Sequence, residues 1–147
     1  MKTFGLKIVT PETLLLEAEV TGVTLPMLDG EVTLLADHEA YMGVCKPGEV
    51  IIKQVNGETE NFATSGGLVE FRNNALVVLA DTAEAAGDID AERAEQAKKR
   101  AEELMAAATM QDDEAYERTA ALLERELVRL KVHRKHASKY GVTNLSE

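Results

Sequence analysis

The sequence contains few of the residues that mark several common protein classes. Its 147 residues include a single cysteine, Cys45, and no tryptophan. One cysteine excludes an internal disulfide and a cysteine-rich metal site. The longest uncharged apolar run has only six residues, Ala75–Ala80, whereas a membrane-spanning helix needs ~20. Pro11 and Glu12 interrupt the N-terminal region before an apolar signal segment forms, so we expect an intracellular protein with no direct membrane insertion.

Positive charge is scarce as well. The chain has 16 lysines and arginines against 26 aspartates and glutamates, a formal net charge of −10. Most of this excess lies in residues 1–87, whose net charge is −8. A general nucleic-acid binder needs a basic surface to neutralise phosphates, so we expect no nucleic-acid partner.

Motifs that perform catalysis or bind metals are also missing. There is no phosphate-binding G-x-x-x-x-G-K-[ST], no dinucleotide-binding G-x-G-x-x-G after a strand and no zinc-binding H-E-x-x-H. His133 and His136 are separated by Arg134 and Lys135, which would repel a cation. We expect no catalytic residue, no metal site and no enzymatic activity of the chain itself.

Glycine and proline are confined almost entirely to the first part of the chain. Residues 1–87 hold nine of the ten glycines and all three prolines. Both residues are disfavoured inside helices and common in turns. This distribution predicts a β-rich domain over residues 1–87, a helical domain over residues 88–139 and a short tail over residues 140–147.

Alternating apolar residues in the first domain predict short β-strands. The first run places three apolar side chains on one side, Phe4, Leu6 and Ile8. Many short strands separated by turn signals favour a sandwich or barrel. We expect a two-residue type I′ hairpin turn at Asn56-Gly57 and a further turn at Asn73-Asn74. Because residues 75–80 are apolar throughout, we expect that strand to be buried on both faces.

Apolar residues in the second domain recur at steps of three and four, the spacing of helices that pack along one face. The first predicted helix has a stripe of Ala94, Ala97, Ala101, Leu104 and Ala108. The second has a stripe of Tyr116, Ala120, Leu123, Leu127 and Leu130. Asp112 or Asp113 is a suitable N-cap for the second helix. Two helices joined by a link of ~4 residues form an antiparallel hairpin.

The second predicted helix reverses the charge of the chain. Residues 118–139 include seven basic and two acidic residues. One interpretation is a solvated surface whose cations are favoured by the helix dipole. The other is a basic arm that binds an acidic partner or an anionic ligand.

Four motifs follow one another along the chain, from the first domain into the second. They are Lys46-Pro47-Gly48, Ser65-Gly66-Gly67, Ala80-Asp81-Thr82-Ala83-Glu84 and Asp88-Ile89-Asp90-Ala91-Glu92-Arg93-Ala94. In this order, and followed by an alanine-rich helical hairpin, they resemble the epsilon subunit of bacterial F-type ATP synthase. The resemblance implies an α+β fold, in which an antiparallel β-sandwich of about ten strands precedes a two-helix antiparallel hairpin.

The resemblance also implies a function and a set of partners. Epsilon subunits are non-catalytic rotor subunits of the central stalk, which couple proton transport through the membrane c-ring to ATP synthesis. Contacts with the gamma subunit, the c-ring and the alpha and beta catalytic subunits are implied, with a hairpin that restrains ATP hydrolysis. The implied location is peripheral, on the cytoplasmic side of the bacterial cell membrane. The alternative is a stand-alone nucleotide sensor or a helical adaptor protein, since each also needs an alanine- and leucine-lined helix seam.

Three groups of candidate residues follow from the resemblance. No cofactor is required, but some family members bind ATP as a regulatory ligand through a motif [I/L]-D-x-x-R-A. The implied ATP-binding residues here are Glu84, Ile89, Asp90, Arg93, Ala94, Arg100, Arg125 and Arg129. The implied basic arm toward the catalytic beta subunits comprises Arg118, Arg125, Arg129, Lys131, Arg134 and Lys135. The implied ring-facing residues are Glu31 and His38.

Two qualifications belong to these candidates. Asp90 has the alternative role of supporting the helix start, in which case Arg93 would pair with nearby carboxylates. Around His38 the family usually runs Leu-Pro-x-His-x-Pro, whereas this chain has Leu35-Ala36-Asp37-His38-Glu39-Ala40. Because both prolines are missing, we expect a less rigid loop.

Overall fold

The computed structural model describes residues 1–107 and 113–137. The chain forms two compact units, Met1–Ala85 and a second unit that begins at Ala86. The sequence placed this division after residue 87. Ala108, Asp112 and the predicted tail over residues 140–147 lie outside the described residues.

The first unit contains nine β-strands within the described part of the chain. They are β1 Phe4–Val9, β2 Leu14–Met27, β3 Gly30–Leu35, β4 Tyr41–Cys45, β5 Gly48–Gln54, β6 Thr59–Thr64, β7 Gly67–Arg72, β8 Ala75–Ala80 and β9 Ala83–Ala85. Their order is β1-β8-β7-β4-β2-β5-β6-β9, with β3 paired to β2. Every pair is antiparallel except β1 with β8.

The long strand β2 allows the sheet to enclose a core. Its first part pairs with β1, and its later part pairs with β3 and β5. Since β1 also pairs with β8, the path through β8, β7, β4 and β2 returns to β1. Phe4, Leu6 and Ile8 point into this core and are buried, as their alternation predicted.

Strand β8 is buried on one face only. Leu76 and Val78 face the core, whereas Leu79 is 50% exposed. The prediction of burial on both faces is therefore wrong. An all-apolar run is compatible with two covered faces, but its composition does not show whether anything covers the second one.

The predicted hairpin turns are both present, but their geometries differ. Asn73 and Asn74 have φ of 51° and 56° and directly join β7 to β8, which is the two-residue type I′ pattern. At the other hairpin, Gly57 has φ of 87°, while Asn56 is not among the residues with positive φ. The Gly57 N–H donates to the Gln54 carbonyl at 3.0 Å. The type I′ prediction at Asn56-Gly57 is therefore wrong, because the strands are separated there by a longer loop.

The second unit is a helical hairpin. It contains a 3-10 helix, Ala86–Asp88, and two α-helices, α1 Ala91–Ala107 and α2 Asp113–His136. Arg134, near the end of α2, lies 3.8 Å from Glu95, near the start of α1, so the two helices are antiparallel as predicted. Ala94 and Ala101 are completely buried on α1, where small side chains allow close approach.

The buried face of α2 differs from the predicted stripe. Leu127 is 44% exposed, whereas Glu126, Leu130 and His133 are buried. The buried residues still recur at steps of four and three, and Leu130 belongs to both faces, so the observed face is turned toward Glu126 and His133 by less than one residue position, which is about 100°. Leu104 on α1 is also 53% exposed, against the prediction. Apolar spacing missed this register because a charged residue at a buried position is rare.

Candidate functional site

The centre of α2 holds a buried carboxylate between two arginines. The Glu126 side chain is 1% exposed, and its Oε2 accepts a hydrogen bond from Arg129 Nη1 at 2.8 Å. Its Oε1 accepts from Arg125 Nη2 at 3.3 Å and from Arg125 Nε at 3.4 Å. A buried carboxylate is costly unless it is paired and hydrogen-bonded, so the two guanidinium groups make this position tenable. We call Arg125, Glu126 and Arg129 the α2 cluster.

Asp90 caps the start of α1. Its Oδ1 accepts a hydrogen bond from the Arg93 backbone N–H at 3.1 Å, and its carbonyl accepts from the Ala94 N–H at 3.0 Å. This is the geometry of an N-cap residue, whose side chain satisfies a free N–H in the first turn. Asp90 therefore has the alternative role expected for it, support of the helix start.

The remaining ATP-site candidates fall into different environments. Ile89 and Ala94 are buried, whereas Arg93 and Arg100 are exposed on α1. Among the described residues, the Arg93 guanidinium has no ion pair, so the carboxylate pairing expected as its alternative role is not observed. Glu84 is half-buried on β9 of the first unit.

The basic arm candidates occupy two sides of α2. Arg118, Arg125 and Arg129 are spaced by seven and four residues and share one side. The other three candidates, Lys131, Arg134 and Lys135, lie on a different side and are exposed. Arg118 is exposed too, whereas Arg125 and Arg129 bind Glu126. The exposed cations are therefore Arg118, Lys131, Arg134 and Lys135.

Glu31 and His38 are both exposed but lie at opposite ends of β3. Leu35 lies four residue steps after Glu31 along the strand, about 13 Å at ~3.3 Å per residue, and His38 follows beyond it. The His38 ring packs edge-on against Phe71, with ring centroids 5.8 Å apart. The structure therefore does not bring the two ring-facing candidates together.

Hydrogen bonds hold the loop that lacks the two prolines. The Asp37 N–H donates to Asn74 Oδ1 at 2.8 Å, and Asn74 Nδ2 donates to the Thr3 carbonyl at 2.9 Å. Asp37 also binds Lys2 at 2.9 Å, and this hydrogen bond raises the pKa of Lys2. These contacts tie the loop to the start of the chain and to the β7–β8 turn.

An exposed apolar surface covers part of the outer side of β4, β7 and β8. Val44, Leu68 and Leu79 are paired across these three strands in one row. They are between 46% and 54% exposed, and the neighbouring Met42 is 72% exposed. We call these four residues the apolar face. Contiguous exposed apolar surface of this kind marks interaction sites more often than singly exposed residues do.

Metal, thiol and membrane chemistry find little support in the described residues. Within residues 1–107 and 113–137, no three His, Cys, Asp or Glu side chains are grouped as metal ligands would be. Burial raises the pKa of the Cys45 thiol to about 11, so the thiol is protonated near neutral pH and a poor nucleophile. Neither described α-helix is long and apolar enough to cross a membrane.

Both units match one family in comparisons with known proteins. Residues 3–86 match the beta-sandwich domain of the ATP synthase delta/epsilon chain, and residues 88–133 match its long alpha-helix domain. The chain belongs to the ATP synthase delta/epsilon chain family. The resemblance drawn from the ordered motifs is confirmed, together with the two-part fold and the assignment as an epsilon subunit of F-type ATP synthase.

Curated relatives agree with this membership over most of the chain. The ATP synthase epsilon chain of Nitratidesulfovibrio vulgaris strain DP4 is 39% identical over 131 residues, which cover 89% of this chain and 96% of the relative. That of Herpetosiphon aurantiacus is 42% identical over 127 residues, covering 86% and 91%. That of Lactobacillus gasseri is 36% identical over 145 residues, covering 95% and 96%.

Solved structures share the fold. A chain from the Euglena gracilis mitochondrial ATP synthase, in a structure of OSCP, F1 and the c-ring, has a TM-score of 0.73 at 20% identity, covering 92% of this chain and 81% of that one. A chain from the central stalk and c-ring of the Tetrahymena thermophila enzyme has a TM-score of 0.58 at 15% identity, covering 91% and 96%. At these identities the likeness concerns the fold alone.

The feature of this epsilon-family chain that sequence reasoning missed is the buried Glu126. A signal for it exists in the sequence, since Glu126 has an arginine directly before it and another three residues later. A cation three residues away lies on the same side of a helix and can pair with the carboxylate, whereas the contact of the adjacent Arg125 is seen only in the structure. Without the register of α2, however, the pattern resembles an ordinary exposed ion pair.

Proposed function

We propose that the chain is a rotor subunit of a bacterial F-type ATP synthase, which couples rotation of the proton-translocating c-ring to ATP synthesis. Its sandwich unit binds the gamma subunit and the c-ring, and its hairpin restrains ATP hydrolysis by contact with the alpha and beta subunits. The location that follows is peripheral, on the cytoplasmic side of the cell membrane. The observation that carries this proposal is the match of both units, in order, to the two domains of the family.

The apolar face supports the proposed gamma contact. Val44, Leu68 and Leu79 form a row across three neighbouring strands and keep about half of their surface exposed. An apolar partner surface would remove this area from water, which is the main favourable term in association. We assign the apolar face to gamma, and Glu31 or His38 to the ring.

The exposed cations of α2 support the proposed restraint of hydrolysis. Arg118, Lys131, Arg134 and Lys135 extend along a helix on a chain whose net charge is −10. Complementary charge speeds association and fixes register more than it adds raw affinity. We therefore expect these side chains to guide the hairpin toward an acidic surface on the catalytic subunits, and not to hold it there alone.

A regulatory ATP site on the hairpin is the second part of the proposal. Ile89–Ala94 matches the motif of nucleotide-binding family members, and exposed Arg93 and Arg100 are available on α1. A triphosphate favours a site with several cations, because charge-assisted hydrogen bonds between guanidinium groups and phosphate oxygens are stronger than neutral ones. Arg125 and Arg129 are the two further candidates on α2.

The experiment that tests the rotor and restraint roles is ATP hydrolysis by a catalytic sector depleted of its own epsilon subunit. The full chain is added in one arm and a version ending at Gly87 in the other. We expect both to bind and only the full chain to inhibit. Binding without inhibition by either form would keep the rotor role and remove the restraint, whereas no binding by either form would contradict the rotor role.

A charge variant refines the same assay. Replacing Arg118 and Lys131 by Gln removes two exposed cations and leaves the α2 cluster intact. We expect slower onset of inhibition, with a weaker dependence on salt, because exposed charges steer association within about a Debye length. Replacing Lys53 and Arg72 on the sandwich removes the same charge and serves as the control. Equal inhibition kinetics in all forms would contradict the basic arm.

A further inference from the structure

The α2 cluster raises a question about the proposed ATP site. Two candidate phosphate ligands of that ATP site, Arg125 and Arg129, already bind the Glu126 carboxylate on the same helix. Arg129 Nη1 lies 2.8 Å from Glu126 Oε2, and Arg125 Nη2 lies 3.3 Å from Oε1. At these distances the guanidinium groups donate charge-assisted hydrogen bonds to the carboxylate oxygens, as they would to the oxygens of a phosphate.

Burial makes Glu126 a strong competitor for the arginines. Its side chain is 1% exposed, so water does not solvate the carboxylate in place of the two guanidinium groups. Arg125 is 40% and Arg129 21% exposed, and both reach inward to it. Removing both cations would leave a buried charge without compensation, which is strongly unfavourable.

The register of α2 is part of the same arrangement. Glu126 occupies the buried face with Leu130 and His133, and Leu127 is turned outward. The carboxylate is therefore built into the packing of the helix, unlike exposed Glu124 two residues earlier. A phosphate that approached the arginines would also meet a negative charge within the same cluster, and like charges at short range repel.

We infer that Glu126 is an internal anion that occupies Arg125 and Arg129 in place of nucleotide phosphates and so weakens ATP binding by this hairpin. The inference rests on the proposed ATP site. ATP must either displace the carboxylate from the arginines or bind through Arg93 and Arg100 alone. Glu126 is thus a positioning residue that sets the ATP concentration at which the hairpin responds.

The test compares ATP binding by the full-length chain and two matched variants, using calorimetry at fixed salt. Glu126→Gln keeps the size of the side chain and removes its charge. Glu124→Gln makes the same change of net charge at an exposed position of the same helix. We expect Glu126→Gln to bind ATP about tenfold more tightly than the parent, within the range typical of groups that share one ion-pair network, and Glu124→Gln to bind like the parent. Tripolyphosphate as a second probe shows whether the gain concerns the phosphates.

Each outcome decides between the inference and the proposed ATP site. Tighter binding by Glu126→Gln alone supports the inference, and if the parent does not bind at all, that result also removes ATP regulation of the natural chain. Equal binding by the parent and Glu126→Gln keeps the ATP site and overturns the inference. No binding by any form overturns both, because removal of the competing charge then uncovers no site.

Folding is checked by helical circular dichroism of each variant. If Glu126→Gln loses helix, Glu126→Ala replaces it, because alanine removes the carboxylate and has the highest helix propensity. A folded Glu126→Ala chain that binds ATP no better than the parent would overturn the inference in the same way.

Discussion

Replacing Arg129 by Ala is expected to destabilise the helical hairpin by about 2–3 kcal/mol. The change removes the 2.8 Å hydrogen bond to Glu126 Oε2 and leaves the carboxylate buried. Breaking a buried pair at one partner costs about 3–5 kcal/mol. The loss here is smaller because Arg125 still donates to Oε1 at 3.3 Å and 3.4 Å.

Arg125 and Arg118 serve as comparisons for the expected cost of Arg129→Ala. Arg125→Ala is expected to cost about 1 kcal/mol or less, since Arg125 is 40% exposed and its contacts are longer. Arg118→Ala, an exposed cation on the same helix, is expected to stay within about 0.5 kcal/mol of the parent. The expected order of cost is therefore Arg129, then Arg125, then Arg118.

Amide hydrogen exchange over residues 113–137 is the appropriate assay, because it reports the opening free energy of α2 itself. Urea unfolding followed by helical circular dichroism gives an independent value. The decisive comparison repeats Arg129→Ala in a Glu126→Gln background, where the cost is expected to fall below about 1 kcal/mol. If Arg129→Ala lowers stability no more than Arg118→Ala, or lowers it equally in both backgrounds, Arg129 does not compensate the buried charge of Glu126.

Three further predictions concern the sandwich unit. Leu68→Ser is expected to weaken binding to gamma in a pull-down while leaving the urea midpoint nearly unchanged, because Leu68 is 54% exposed. Leu76→Ala, at a side chain that is 1% exposed, is expected to cost about 2–5 kcal/mol of stability. A loss of stability in Leu68→Ser with unchanged binding to gamma would contradict the proposed role of the apolar face. Gly67→Ala is expected to be strongly destabilising in the same urea assay, because φ is 151° and an added Cβ would overlap the Leu79 carbonyl oxygen; a stable variant would show that the β6–β7 connection can shift. Cys45 is expected to react with a thiol reagent far faster in urea than in the native state at pH 8, since burial raises the pKa of the native thiol to about 11 from 9.0, and equal reaction rates would refute its burial. Between pH 9 and 11 only the unfolded thiol ionises, so the free energy of unfolding should fall as the pH rises through this range.

The sandwich was predictable where a local pattern decides the structure. Phe4, Leu6 and Ile8 alternate in the sequence and all three enter the core, because a strand places every second side chain on the same face. Turn type was less predictable. The dipeptides at residues 56–57 and 73–74 both tolerate positive φ. In the β7–β8 hairpin the last strand pair is Arg72 with Ala75, directly beside the turn, whereas in the β5–β6 hairpin the last pair is Lys53 with Thr59, which leaves a longer loop. Strand register is set by which faces are buried across the whole sheet, and two turn residues do not contain that information.

The helical hairpin shows the same limit in a charged context. Steps of three and four predicted two antiparallel helices and placed Ala94 and Ala101 correctly in the contact. On α2 the same spacing fits two overlapping faces that share Leu130, one through Leu127 and one through Glu126. A rule that places charge outside selects the first, whereas the structure has the second, because Arg125 and Arg129 neutralise the carboxylate on their own helix.

This register also separates two roles that overlapped in the sequence. Arg125 and Arg129 were candidates both for ATP and for the basic arm, so their loss could not have distinguished the two. In the structure they bind Glu126, while Arg118, Lys131 and Arg134 remain exposed. A change at Arg118 or Lys131 should therefore alter the proposed approach to the catalytic subunits without affecting the hairpin's own stability, whereas Arg134 also pairs with Glu95 on α1. A change at Arg129 should alter both the stability of the hairpin and its proposed response to nucleotide. The proposed restraint of hydrolysis and the proposed sensing of ATP are therefore expected to be separable by mutations on a single helix.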